Sequence, residues 1–166
     1  MPALSINGKQ TMNGKKTKSG KQIDQVFDIL VIEDNAADVG LLRLALKETG
    51  LAFELTVIED GAEALAYIRR EGKYAGMSRP DLVVLDLNLP KKSGMEVLEA
   101  IRQNKEMSNV PVAVVTSSSA PLERAMIEGL RVERFITKPP ELEDFLRIGG
   151  VLIEVLRESQ NPATKV

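Results

Sequence analysis

Five short apolar runs, each followed by a segment of helical character, set the fold class of this chain before any single residue is considered. The runs cover 28–33, 53–58, 82–86, 111–116 and 134–137; the helical segments cover roughly 36–49, 61–71, 94–103, 120–129 and 141–158. Regular alternation of this kind builds βαβ units and hence a parallel sheet. The stretches 29–32, 82–85 and 112–115 are continuously apolar, as strands covered by helices on both faces must be. The second run, Phe53 to Ile58, alternates for most of its length and belongs at an edge, and the short fifth run suits the other edge. The prediction is a five-stranded, doubly wound α/β sheet of order 2-1-3-4-5, with strands 1 and 3 adjacent at the topological switch point. Helix starts carry their own signals. Asn35 with Asp38, Asp60 with Glu63, and Ser93 with Glu96 each place a capping side chain three residues before an acid, and Gly50, Gly72 and Gly129 fall at or near helix ends.

Composition narrows the chemistry. The 166 residues are 43% hydrophobic and 28% charged, which suits one globular domain, and with 4% aromatics the core must come from Leu, Ile, Val and Ala. The absence of cysteine excludes disulfides and thiolate metal sites. The absence of histidine excludes an imidazole nucleophile or base and a His-ligated zinc. Any metal is therefore hard and oxygen-bound, which favours Mg²⁺. Net charge is −2, yet residues 1–26 carry five lysines against Asp24, so the rest of the chain is acidic and unlike a nucleic-acid binder. Residues 1–26 read as a flexible basic tail, 27–158 as the folded domain and 159–166 as a C-terminal tail. No apolar stretch approaches the ~20 residues that span a bilayer, and the N-terminus lacks a signal peptide's apolar core. A cytoplasmic location with no membrane contact is expected.

Three strand ends converge on one chemistry. Asp86 closes the run Leu82 to Leu85 between leucines, where a carboxylate left unpaired would be costly. The pair Glu33-Asp34 closes the first run, and in the proposed strand order it meets Asp86 at neighbouring carboxyl ends. Lys138 follows the fifth run, before Pro139-Pro140. Clustered carboxylates repel one another and call for a cation. Asp86 could then act as a phosphoacceptor, forming an acyl phosphate by nucleophilic attack. Thr116 ends the fourth run, where its hydroxyl could bond a phosphoryl oxygen or cap the next helix. A second acidic pair, Glu59-Asp60, ends an edge strand and reads as surface charge plus a helix cap. Asp81 starts the Asp86 strand and lies about 16 Å away along it.

Glu33-Asp34, Asp86, Thr116 and Lys138-Pro139, in this order and spacing, resemble the receiver domain of two-component response regulators over residues 27–158. The resemblance implies the flavodoxin-like (βα)5 fold and a phosphoryl group delivered to Asp86 by a sensor histidine kinase. It implies Mg²⁺ held by Asp34, Asp86 and the backbone carbonyl of Asn88, with Glu33 acting through water. It further implies that Lys138 pairs with the phosphoryl group and that the Lys138–Pro139 bond is cis. Thr116 and Phe135 fall at the switch positions, the latter where many members carry Tyr. Asn88 and Ser118 fall where the family tunes acyl-phosphate lifetime. The stretch Leu85 to Lys92, with Glu33 to Asp38, looks most like single-domain regulators that partner bacterial phytochromes.

Only 28 residues follow Lys138, so the expectation is a stand-alone regulator without an output domain. It would signal through a phosphorylation-dependent surface to a downstream protein, or pass the group to a phosphotransfer protein. On the last helix, Leu142, Phe145, Leu146, Leu152, Ile153 and Leu156 share a face that would cover the sheet. Ile148, Val151 and Val155 form a second apolar arc, expected to be a partner or homodimer interface. Three other readings compete. A haloacid-dehalogenase-like phosphatase would place a second Asp two residues after the first, where this chain has Asn88. A pseudo-receiver would be a constitutive binding module. A nucleotide-binding protein would need a Gly-rich loop after the first strand, which is missing.

Overall fold

The computed structural model describes residues 25–161 and residue 163. Five strands, β1 (Phe27–Ile32), β2 (Phe53–Ile58), β3 (Leu82–Leu85), β4 (Val112–Thr116) and β5 (Arg134–Thr137), form one parallel sheet in the order β2-β1-β3-β4-β5. The helices between and after them are α1 (Ala36–Glu48), α2 (Gly61–Ile68), α3 (Gly94–Gln103), α4 (Pro121–Glu128), α5 (Leu142–Leu146) and α6 (Ile148–Gln160), with a 3₁₀ turn at Gly72–Tyr74. The predicted strand order holds. The period of two sorts the sheet residues between two cores. Ile29, Val31, Leu82, Val84, Ala113 and Val115 pack with α1, α5 and α6, while Leu30, Ile32, Val83, Leu85, Val112 and Val114 pack with α2, α3 and α4. The caps also form as expected. Asn35 Oδ1 accepts from the amides of Ala37 and Asp38, Asp60 from that of Glu63, and Ser93 with Glu96 closes a reciprocal capping box.

Register sets the site. Ile32 pairs with Leu85, so the residues that follow, Glu33 and Asp86, emerge side by side. Thr116 pairs with Thr137, which brings Lys138 up beside the end of β4. Three backbone bonds extend the ladders past the strand ends: Asp86 N–H to Ile32 O at 3.0 Å, Glu33 N–H to Ile58 O at 3.0 Å and Lys138 N–H to Thr116 O at 2.8 Å.

The last helix departs from expectation. It is two helices joined at Arg147, and the second runs to Gln160, two residues into the expected C-terminal tail. Past the joint, Leu152, Ile153 and Leu156 are buried as the wheel expects, at 0%, 7% and 1%. Leu142, placed on the sheet-covering face, is 54% exposed. Ile148 and Val155, expected to form a dimer interface, are buried at 3% and 0%, and Val151 is half-buried. The physical reason is that α6 packs against two partners, the sheet and α1, and so needs two apolar arcs within one subunit. Gly149 makes the close approach to α1 feasible, since a Cβ there would lie 2.2 Å from the carbonyl oxygen of Ala45. The Lys138–Pro139 bond is also not cis: no cis peptide occurs among the described residues. Trans is the lower-energy isomer of an X–Pro bond by about 0.5–1 kcal/mol, and Lys138 reaches its partners without the exception. The basic tail of residues 1–26 lies almost wholly outside the described residues.

Candidate functional site

Glu33, Asp34 and Asp86 meet at the carboxyl end of the sheet, each offering a carboxylate oxygen within 4.8 Å of the others. Asp34 is exposed, whereas Glu33 and Asp86 are 2% and 5% exposed. Buried carboxylates demand compensation, and Lys138 supplies it. Its Nζ donates to Glu33 Oε2 at 2.7 Å, to Asp38 Oδ2 at 2.7 Å and to Asp86 Oδ2 at 2.9 Å. Glu33 Oε1 accepts from the amide of Asn35 at 2.9 Å, and Asp86 Oδ1 accepts from the amide of Asn88 at 3.0 Å.

Burial pushes the Glu33 carboxyl up to about 7, over the opposing pull of its hydrogen bonds from Lys138 and Asn35. Burial by itself would lower the Lys138 ammonium. Hydrogen bonds to Asp38, Glu33 and Asp86 outweigh it and hold the group above the ordinary lysine value, so it stays charged. The donor set is entirely oxygen, one carboxylate is open to solvent, and together the acids outnumber the one cation. These features fit a small hard cation such as Mg²⁺.

The loop after Asp86 is pinned on both flanks. Gly94 N–H donates to Leu87 O at 3.0 Å, and a Cβ on Gly94 would fall 2.4 Å from the Asp86 carbonyl oxygen. On the other flank Gly61, at the start of α2, donates to Pro90 O at 3.1 Å, and its missing Cβ leaves room for the Lys92 carbonyl. Lys91 adopts a left-handed backbone, φ 67°, and its ammonium meets Asp60 Oδ2 at 2.9 Å. Asp60 is thus a helix cap and a loop anchor, away from the carboxylate cluster. Asp81 is likewise structural, accepting from the amide of Asp28 at 2.8 Å.

Thr116 is fully buried, and its Oγ1 accepts from the amide of Ser118 at 3.3 Å. Ser118 Oγ bonds the carboxylate of Glu123 and accepts from Ala120 N–H at 3.4 Å, so it organises the entry to α4. Phe135 is half-buried beneath the guanidinium of Arg124, 5.3 Å from the ring centroid. Sequence reasoning missed the role of Asp38, taken there only as the acid after a cap. Its signal was its place in the first turn of the helix that leaves the site. A hollow of about 440 Å³ lined by Arg102, Arg131, Arg134 and Glu158 opens at the opposite end of the sheet. Its guanidinium groups already donate to carbonyls or carboxylates, including Val110 O, Ser108 O and Glu158, so it offers no comparable chemistry.

A doubly wound sheet with this acidic corner and a lysine across from it defines a class, and residues 29–148 match the response regulator receiver domain family. The chain belongs to that family. Among its relatives, it is 38% identical over 120 residues to the response regulator Rcp1 of Synechocystis sp., covering 72% of this chain and 82% of that protein. It is also similar to the solved structure of a phosphorylated cyanobacterial phytochrome response regulator, RcpA, at 38% identity and a TM-score of 0.76, covering 81% of this chain and 96% of that one. The Mn²⁺-bound form of Rcp1 superimposes with a TM-score of 0.70 at 34% identity, covering 84% of this chain and 96% of that one. The fold is the flavodoxin-like fold of receiver domains, and the chain is a receiver-domain response regulator related to phytochrome response regulators. Among the described residues, no helix is long and apolar enough to cross a membrane.

Proposed function

We propose that this chain is a phosphorylation switch in which Asp86 accepts a phosphoryl group from the phosphohistidine of a sensor histidine kinase. The observation that carries the reading is the buried Asp86 carboxylate held 2.9 Å from the Lys138 ammonium, at the rim of a three-carboxylate cluster. In the transfer, an Asp86 oxygen bonds to phosphorus as the P–N bond breaks, and the departing imidazole keeps the bonding pair. The chain has no histidine, so the donor comes from another protein. Lys138 stabilises charge on the phosphoryl oxygens, and the amide of Asn88 orients Asp86 from the other side. Asp34, Asp86 and the backbone carbonyl of Asn88 would hold Mg²⁺. Glu33 would act through water. When bound, the cation neutralises the carboxylates and the phosphoryl oxygens during transfer.

The likeness to phytochrome response regulators supports a phytochrome-type kinase as the donor. Thr116 and Phe135 would relay the modified state to the surface, the Thr116 hydroxyl donating its O–H to a phosphoryl oxygen. With Ile148 and Val155 in the core, a homodimer would need a surface other than their arc. The test is transfer of radiolabel from an autophosphorylated phytochrome-type histidine kinase to this chain. Label should appear on the parent and be lost in Asp86→Asn; equal labelling of that variant would move the acceptor elsewhere.

A further inference from the structure

We infer that Asp38 is a positioning residue that tethers the Lys138 ammonium to α1 and restrains its engagement with an incoming phosphoryl group. The inference rests on the reading of Asp86 as phosphoacceptor. An ammonium has three protons to donate. Lys138 directs one each to Glu33, Asp38 and Asp86, so none is free. Two of these acceptors belong to the carboxylate cluster suited to a cation; Asp38 does not. It stands on a different element, in the first turn of the 13-residue helix α1, where its own amide is held by Asn35 Oδ1 at 3.2 Å. The tether is therefore anchored to a helix, while the lysine is anchored to β5. Their side chains are 21% and 11% exposed, so water competes poorly for the contact.

A phosphoryl group on Asp86 brings new anionic oxygens to an ammonium whose N–H bonds are all taken. Lys138 must release one partner to meet it. Replacing the Asp38 carboxylate by the isosteric amide weakens the competing bond without changing the shape of the helix start.

The test uses the full chain in four forms: parent, Asp38→Asn, Lys138→Gln and the double variant. With acetyl phosphate and Mg²⁺, Asp38→Asn should be phosphorylated about three- to tenfold faster than the parent, the effect of weakening one charge-assisted hydrogen bond on the lysine to one with a neutral acceptor. In the Lys138→Gln background the same substitution should change the rate by much less, because the effect runs through the lysine. An equal acceleration in both backgrounds, or a slower Asp38→Asn, would overturn the inference. A second readout needs neither phosphate nor metal: the ¹⁵N resonance of the Lys138 ammonium should shift in Asp38→Asn, and an unmoved resonance would also overturn it. If the parent takes up no phosphoryl group, the reading of Asp86 fails, while the resonance still decides whether Asp38 holds the lysine.

Discussion

Gly149 and Gly150 are adjacent in α6, and the structure gives them opposite fates on substitution by alanine. In a helix interior, Gly to Ala stabilises by about 0.5–1 kcal/mol, because alanine loses less backbone freedom on folding. Gly150 is exposed in the first turn of α6 and a Cβ there meets nothing within 4 Å, so it should show a gain at or below the low end of that range. Gly149 faces α1. A Cβ would stand 2.2 Å from the Ala45 carbonyl oxygen, 2.6 Å from its carbon and 3.2 Å from Thr49 Cγ2. Two of these atoms are backbone, so the helices must part by about 1 Å, and overpacking of this kind costs about 1–3 kcal/mol. Parting them also loosens Ile148, Leu152 and Val155 from Leu42 and Leu46. Net of the propensity gain, Gly149→Ala should destabilise by about 1–2 kcal/mol. For a chain of this size, each kcal/mol is about 2–4 °C in Tm. Urea unfolding followed by circular dichroism should therefore place the two variants on opposite sides of the parent. A Gly149→Ala protein as stable as Gly150→Ala would refute the close α1–α6 crossing, and with it the reason given for burying both arcs of α6.

Two further outcomes follow from the site. Because burial raises Glu33 to about 7, the folded chain binds more protons than the unfolded chain between about pH 4.5 and 7. With a chelator present, its contribution is favourable at low pH and is lost as pH rises through 7, by at most about 3 kcal/mol. Lys138 is protonated in both states across this window and adds no slope. Glu33→Gln should flatten the dependence measured by denaturant titration; an unchanged slope would assign it to other groups. Substituting Asn88 or Ser118 by alanine should change the dephosphorylation rate constant severalfold while shifting stability by about 0.5 kcal/mol for the exposed Asn88. Rate constants matching the parent would remove both from lifetime control.

The sheet was legible because uninterrupted apolar runs can be satisfied only between two helical layers, and because alternation marked β2 as an edge. The site was legible because an acid at the end of a buried apolar strand is costly unless a cation or a ligand meets it. Strand order alone then brings Glu33 and Asp34 to Asp86. What escaped sequence reasoning depended on contacts between elements. Nothing local marks Arg147 as a joint, and the wheel over residues 141–158 could not show that α1 covers its second arc. Gly149 is the crossing point with α1, which no local pattern announces. Asp38 fitted a capping pattern, and its ion pair with a lysine 100 residues away appears only when β5 lies beside β4. Gly61 gave no sign that it makes room for the loop following Asp86.

Asp86 should take up a phosphoryl group by Mg²⁺-assisted chemistry. Intact-protein mass spectrometry after incubation with acetyl phosphate, with and without Mg²⁺, tests it on parent and Asp86→Asn. One phosphoryl adduct is expected on the parent, dependent on Mg²⁺ and absent from the variant. An unmodified parent under every condition, or an adduct that survives Asp86→Asn, would contradict it.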